Sequence, residues 1–193
     1  LKAQESAYQD MDLYTVGMKY LDSAKYDKAT VYFTNAIKLN PGNTIYFYQR
    51  GNAYFKLNRF ELAIADFKHC FEVLPDEAEY PYLMGVCYDK LGDNEQALAN
   101  YTKAIQIYSS DSKYFKSRAN LYYKKQEFLK AIEDYDQVVK LNPNDGSTYY
   151  YRGVSKYKLN DKENACIDWE TAVKNSFVKA SEYIDKICLK TKN

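Results

Sequence analysis

Apolar residues recur along the chain at spacings of three and four, as in Ala63, Ile64, Phe67, Cys70 and Phe71, which sets them on one stripe of a helix. The pattern itself repeats. Pro41, Pro75 and Pro143 close the related phrases IKLNP, FEVLP and VKLNP at intervals of 34 and twice 34 residues, and the missing member falls at Ser109 after IQIYS. Counting from Asp10 divides the chain without an insertion into 10–43, 44–77, 78–111, 112–145 and 146–179. Residues 1–9 then extend the first helix, and 180–193 form a capping helix and tail. Each unit predicts a helix, a short turn, a second helix and a proline-closed turn.

Position 8 of the unit is Gly17, Gly51, Gly85, Ala119 and Gly153, and position 20 is Ala29, Ala63, Ala97, Ala131 and Ala165. Small residues there let two helices approach closely. Aromatic residues fill the space beside them: Phe33, Phe67, Tyr101, Tyr135 and Trp169 at position 24, and Tyr20, Tyr54, Tyr88 and Tyr122 at position 11. The fifth unit departs from the pattern, with Lys156 at position 11 and Phe177 at the proline position, as expected where a stack ends. Beyond it Ala180, Tyr183, Ile184, Ile187 and Cys188 share one helical face, which predicts a cap over the fifth unit.

This arrangement of small residues at 8, 20 and 27, aromatics at 11 and 24 and proline at 32 resembles the tetratricopeptide repeat family over residues 10–179. The resemblance implies an all-α fold, a right-handed superhelical solenoid of five antiparallel helix pairs plus a C-terminal capping helix. The ending ENACIDWETAVKN followed by EYIDKIC is similar to that of small repeat proteins from Bacteroides-type bacteria. In function the family implies binding of a protein or peptide partner, an adaptor or scaffold rather than an enzyme. Its groove positions carry over here as Tyr14, Met18, Tyr48, Asn52, Phe55, Tyr82, Val86, Lys116, Asn120, Tyr123, Tyr150 and Tyr157. A tyrosine-lined groove suits an extended peptide or a partner's helix; the same rings also suit packing on one another. Lys56, Lys90, Lys124 and Lys158 at position 13 would form a basic row at the groove's edge. The family's carboxylate clamp is incomplete: Lys116 and Asn120 match it, but Tyr151 stands where it needs asparagine. Binding to heat-shock chaperone tails is therefore not expected.

Comparing the units with one another adds a second kind of constraint. Arginine at position 7 (Arg50, Arg118, Arg152) occurs only in units that carry aspartate at position 23 (Asp66, Asp134, Asp168). Guanidinium and carboxylate can form a forked pair between the helices of a unit, so these six residues are expected to be structural.

Composition narrows the function classes. At 193 residues and 46% hydrophobic content the chain can bury a continuous core, and 22 Tyr against 7 Gly and 4 Pro favours long helices. Lys plus Arg total 27 against 26 Asp plus Glu, a formal charge of +1 that disfavours general nucleic-acid binding. No stretch has the length of apolar sequence that spans a membrane. Because the chain starts at Leu1 and not at methionine, the lack of a leader carries no information on destination, and cytoplasmic and exported locations both remain open.

His69 is the only histidine and is expected on a solvated stripe at position 26. With one histidine, no CxxC spacing and no glycine-rich phosphate loop, neither a metal, a cofactor nor a catalytic residue is expected. Cys166 should face the helix that carries Cys188, and Cys70 and Cys87 sit on faces where successive units meet. Inert buried thiols and disulfides both remain open for these four. Self-association into a homo-oligomer, through residues 1–9 or the terminal helix, is the alternative to a separate ligand.

Overall fold

The computed structural model describes residues 2–189, and all regular structure among them is helical. The chain divides into two units, Leu1–Ile107 and Tyr108–Asn193. The first holds α1 (Lys2–Asp22), α2 (Tyr26–Leu39), α3 (Thr44–Lys56), α4 (Phe60–Val73), α5 (Glu79–Leu91) and α6 (Asn94–Ile107). The second holds α7 (Ser112–Lys124), α8 (Phe128–Leu141), α9 (Gly146–Lys158) and α10 (Lys162–Lys174), followed by a short terminal segment. Helices associate first in consecutive pairs, α1 with α2 through α9 with α10. Their antiparallel register shows in contacts that widen symmetrically about the turn: Phe55 with Phe60, Arg50 with Asp66 and Phe47 with His69. Within the first unit α2 also meets α3 and α4 meets α5; within the second, α8 meets α9.

Each pair turns on one residue in the left-handed region at position 15: Ala24, Asn58, Gly92, Gln126 and Asn160, with φ between 55° and 81°. Around Asn58 the amide of Asn58 donates to the Phe55 carbonyl and that of Arg59 to the Tyr54 carbonyl, the double bond pattern that satisfies the last carbonyls of a helix. Gly92, Asn58 and Asn160 suit this conformation, whereas at Ala24 and Gln126 the side chain disfavours it by roughly 1–2 kcal/mol.

The core lies between paired helices. Ala29, Ala63, Ala97, Ala131 and Ala165 are fully buried, as are Phe33, Phe67, Tyr135 and Trp169. A methyl group added at Gly51 would lie 2.8 Å from the Phe67 ring, and one at Gly153 2.7 Å from the Trp169 indole nitrogen, so the rings occupy the space that glycine leaves.

The end of the chain is built differently. Proline holds its preceding residue extended, and Asn40, Leu74 and Asn142 have φ of −139°, −128° and −137°. Phe177 replaces that proline, and Ser176 before it turns left-handed with φ 64°. Ser176 and Phe177 then donate to the Val173 and Ala172 carbonyls, so α10 ends in the tight turn otherwise found inside a helix pair. The terminal segment is not the uniform helix expected. It passes from a 3-10 turn (Val178–Ala180) through one α turn (α11, Ser181–Tyr183) to a π turn (Ile184–Cys188). Ala180 and Cys188 are buried, and Tyr183, Ile184 and Ile187 cover the cluster of Tyr150, Val154 and Trp169. Glu182, Asp185 and Lys186 face outwards. Cys188 is joined to Cys166 of α10 by a disulfide, whereas Cys70 and Cys87 are free and buried. Leu1 and the last four positions of the tail lie outside the described residues.

Candidate functional site

The arginines of position 7 are committed to holding helices together. Arg50 Nε and Nη2 donate to Asp66 Oδ2 and Oδ1 at 2.9 and 2.7 Å, Arg118 repeats this with Asp134 at 2.8 and 2.7 Å, and Arg152 with Asp168 at 2.9 and 2.5 Å. All three aspartates are buried. Burial pushes the Asp66 carboxyl up while the forked hydrogen bonds from Arg50 pull it back, and the net direction is upwards. The same hydrogen bonds raise the Arg50 guanidinium. The forked geometry suits a guanidinium–carboxylate pair, and desolvation consumes much of the attraction.

The third guanidinium nitrogen reaches further. Arg50 Nη1 donates to Thr34 Oγ1 at 3.1 Å, and Arg152 Nη1 to Asp136 Oδ1 at 2.7 Å. Thr34 and Asp136 occupy position 25 of the preceding repeat, so each arginine also ties one helix pair to the one before. Lys156 joins the last of these clusters with Nζ 2.9 Å from Asp168 Oδ2. Neither link was expected from the arginine–aspartate pattern; the polar residues at position 25 and the lysine at position 11 were their only sequence signal.

In the first unit the groove positions form a run of half-buried rings. Tyr14 lies 5.3 Å from Tyr46 and 6.0 Å from Phe33 between centroids. Tyr48 is 6.2 Å from Phe67 and 6.0 Å from Tyr80, and Tyr82 is 6.0 Å from Tyr101. Each ring therefore leans on the core while one edge remains in solvent. Met18, Asn52 and Val86 are half-buried beside them, and Phe55 meets Phe60 edge-on at 5.6 Å. The Asn52 amide and the Tyr48 hydroxyl make no hydrogen bond among the described residues. Lys56 and Lys90 are exposed.

The second unit uses the same positions otherwise. Lys116 Nζ is 2.5 Å from Asp145 Oδ2 and 2.9 Å from Ser147 Oγ, so its charge is spent within the unit. Asn120 accepts a 2.8 Å hydrogen bond from the Tyr135 hydroxyl. Tyr150, expected in the groove, is 4% exposed and closed off by Phe177 and Tyr183, whose centroids lie 5.0 and 5.5 Å away. Its occlusion follows from the terminal segment, which lies on the face a further repeat would use. Tyr157 leans on Trp169 at 5.8 Å. At the edge Tyr123, Lys124 and Lys158 line a shallow hollow of about 350 Å³ together with Gln126 and Phe128.

His69 does not belong to a solvated stripe. Its ring lies tilted against Phe47 with centroids 3.9 Å apart, and Nε2 is buried without a hydrogen-bond partner among the described residues. The aromatic face that Phe47 offers from α3 draws the imidazole inwards. Among the described residues no three His, Cys, Asp or Glu side chains are placed to hold a metal ion. No described helix is long and apolar enough to cross a membrane.

Two sequence profiles match the chain: a "TPR repeat" at residues 119–160, and the "Tetratricopeptide repeat" at residues 45–77 and 82–111, together just over half of its length. No curated protein matches it in sequence. Among solved structures, the crystal structure of MamA superposes with a TM-score of 0.80 at 20% identity, covering 91% of this chain and 96% of that one. MamA 41-end from Desulfovibrio magneticus RS-1 gives 0.80 at 16% identity over 87% of this chain and 95% of that one. YrrB, described as a TPR protein with an unusual peptide-binding site, gives 0.77 at 15% identity over 95% of each. At these identities the likeness establishes the fold class, an all-α array of helix pairs.

Proposed function

We propose that this chain, which belongs to the tetratricopeptide repeat family, is a protein-interaction scaffold that binds a peptide segment or helix of a partner on the Tyr14, Tyr48 and Tyr82 face of its first unit. Members of the family bind protein or peptide partners and are generally non-enzymatic, and this chain is read in the same way. The observation that carries the reading is the unspent hydrogen-bonding capacity of Tyr48 and Asn52 beside half-buried rings. Rigid aromatic edges contribute apolar contact at little entropy cost, and a free amide can pair with the backbone of an extended segment. Exposed Lys56 and Lys90 would favour a ligand with acidic flanks. That YrrB, alike in fold, has a peptide-binding site supports peptide as the ligand class.

The test is selection of a displayed random-peptide library on the immobilised protein, followed by titration of the enriched peptides. Tyr48→Ala with Tyr82→Ala is expected to weaken them by more than about tenfold while the helical circular dichroism is retained. Equal affinity for parent and double variant, or no enrichment at all, would overturn the proposal.

A further inference from the structure

The C-terminal segment is fastened by one covalent bond, and the side chains that pack it on its face, Tyr183, Ile184 and Ile187, are themselves only half-buried. Its hydrogen-bond pattern changes from 3-10 to α to π within Val178–Cys188, which is shorter than an isolated helix needs to be stable. Only Ala180 and Cys188 are buried; Val178 and Leu189 are 73% and 53% exposed. The Cys166–Cys188 bond closes a loop of 22 residues onto α10. Beneath the segment lie Tyr150 and Trp169, the latter 4.8 Å from the Tyr183 ring.

We propose that this disulfide is a reducible latch: a dithiol reductant frees the segment and uncovers the Tyr150 and Trp169 face, while the helix pairs stay folded. The reductant's thiolate attacks Sγ of Cys166, the half-buried member of the pair, and Sγ of Cys188 leaves as a thiolate and takes up a proton. The second thiol of the reductant then displaces Cys166 from the mixed disulfide. The reductant ends as a cyclic disulfide and the protein holds two thiols. Closure of a loop of this length disfavours the released state by a factor on the order of 100, which reduction removes. Cys70 and Cys87 do not interfere, because both are buried free thiols within the first unit, and burial pushes each up to about 12. The latch does not depend on a ligand in the first unit.

Trp169 is the only tryptophan and reports on the segment directly. The oxidised protein, the protein in dithiothreitol and Cys188→Ser are compared by tryptophan emission, by tryptic cleavage at Lys179 and Lys186, and by far-ultraviolet circular dichroism. Reduction and substitution are each expected to shift the emission to the red and to speed cleavage at those lysines roughly 100-fold, with the helical signal nearly unchanged. Unchanged emission and cleavage in both would overturn the latch. So would collapse of the whole helical signal in both, because the bond would then be a general staple of the unit.

Discussion

Equivalent positions in the two units have been put to different uses. At position 5 the first unit presents Tyr14, Tyr48 and Tyr82 with an edge in solvent, whereas the second ties Lys116 to Asp145 and closes Tyr150 beneath its own C-terminal segment. At position 9, Asn52 is unspent and Asn120 is bound by the Tyr135 hydroxyl. Cysteines differ likewise: buried and free in the first unit, cross-linked in the second. A repeat position therefore fixes where a side chain sits on the hairpin, while its neighbours decide whether it has anything left for a partner.

The buried ion pairs offer the largest test of this contrast. Removing Arg50 strands the Asp66 carboxylate, and Arg50→Ala should cost about 3–5 kcal/mol in urea unfolding. Arg152→Ala should cost less, about 1–3 kcal/mol, because Lys156 stays beside Asp168. Equal costs would mean that Lys156 does not share the charge. Next in size, Lys116→Ala should lose about 1 kcal/mol with its half-exposed bridge to Asp145, and Lys56→Ala in the first unit no more than about 0.5 kcal/mol. A destabilised Lys56→Ala would show that the first unit's edge is already engaged.

The smallest effect is a pH dependence. Burial pushes the Asp10 carboxyl up, but hydrogen bonds from Asn40, Tyr46 and the Met11 amide outweigh it and hold it below its ordinary 3.8. Asp145 is likewise held down, with burial opposed chiefly by Lys116 and Ser147. A lowered carboxyl stabilises the fold above its unfolded pKa, and that contribution is lost as pH falls through the folded value. Asp10→Asn and Asp145→Asn should therefore each flatten the loss of stability below about pH 4, in the first and second unit respectively. An acid limb identical to that of the parent would exclude the carboxyl concerned.

Much of the fold was legible because the repeats act as an alignment of the chain with itself. Alanine at position 20 and the ring at position 24 placed the hairpin core, and arginine appearing only with aspartate identified the inter-helix pairs. The left-handed turn at position 15 is only partly legible: Gly92, Asn58 and Asn160 suit it, whereas Ala24 and Gln126 give no signal and are held in it by hydrogen bonding. The inward packing of His69 depends on Phe47 in the paired helix. Tyr150 was placed in the groove on register alone, and register contains no information about the segment that covers it. Sequence leaves the cysteine pair open, since the Cα separation a disulfide needs, here 5.8 Å, is set by how the terminal segment folds onto α10.

The most direct measurement of the central claim is a binding comparison between the units. Peptides selected on the parent protein are titrated against Tyr48→Ala with Tyr82→Ala and, separately, against Tyr123→Ala with Tyr157→Ala, each variant being confirmed helical. Binding on the first unit predicts a loss of more than about tenfold for the first variant and less than about threefold for the second. The reverse order, or equal losses, would contradict it.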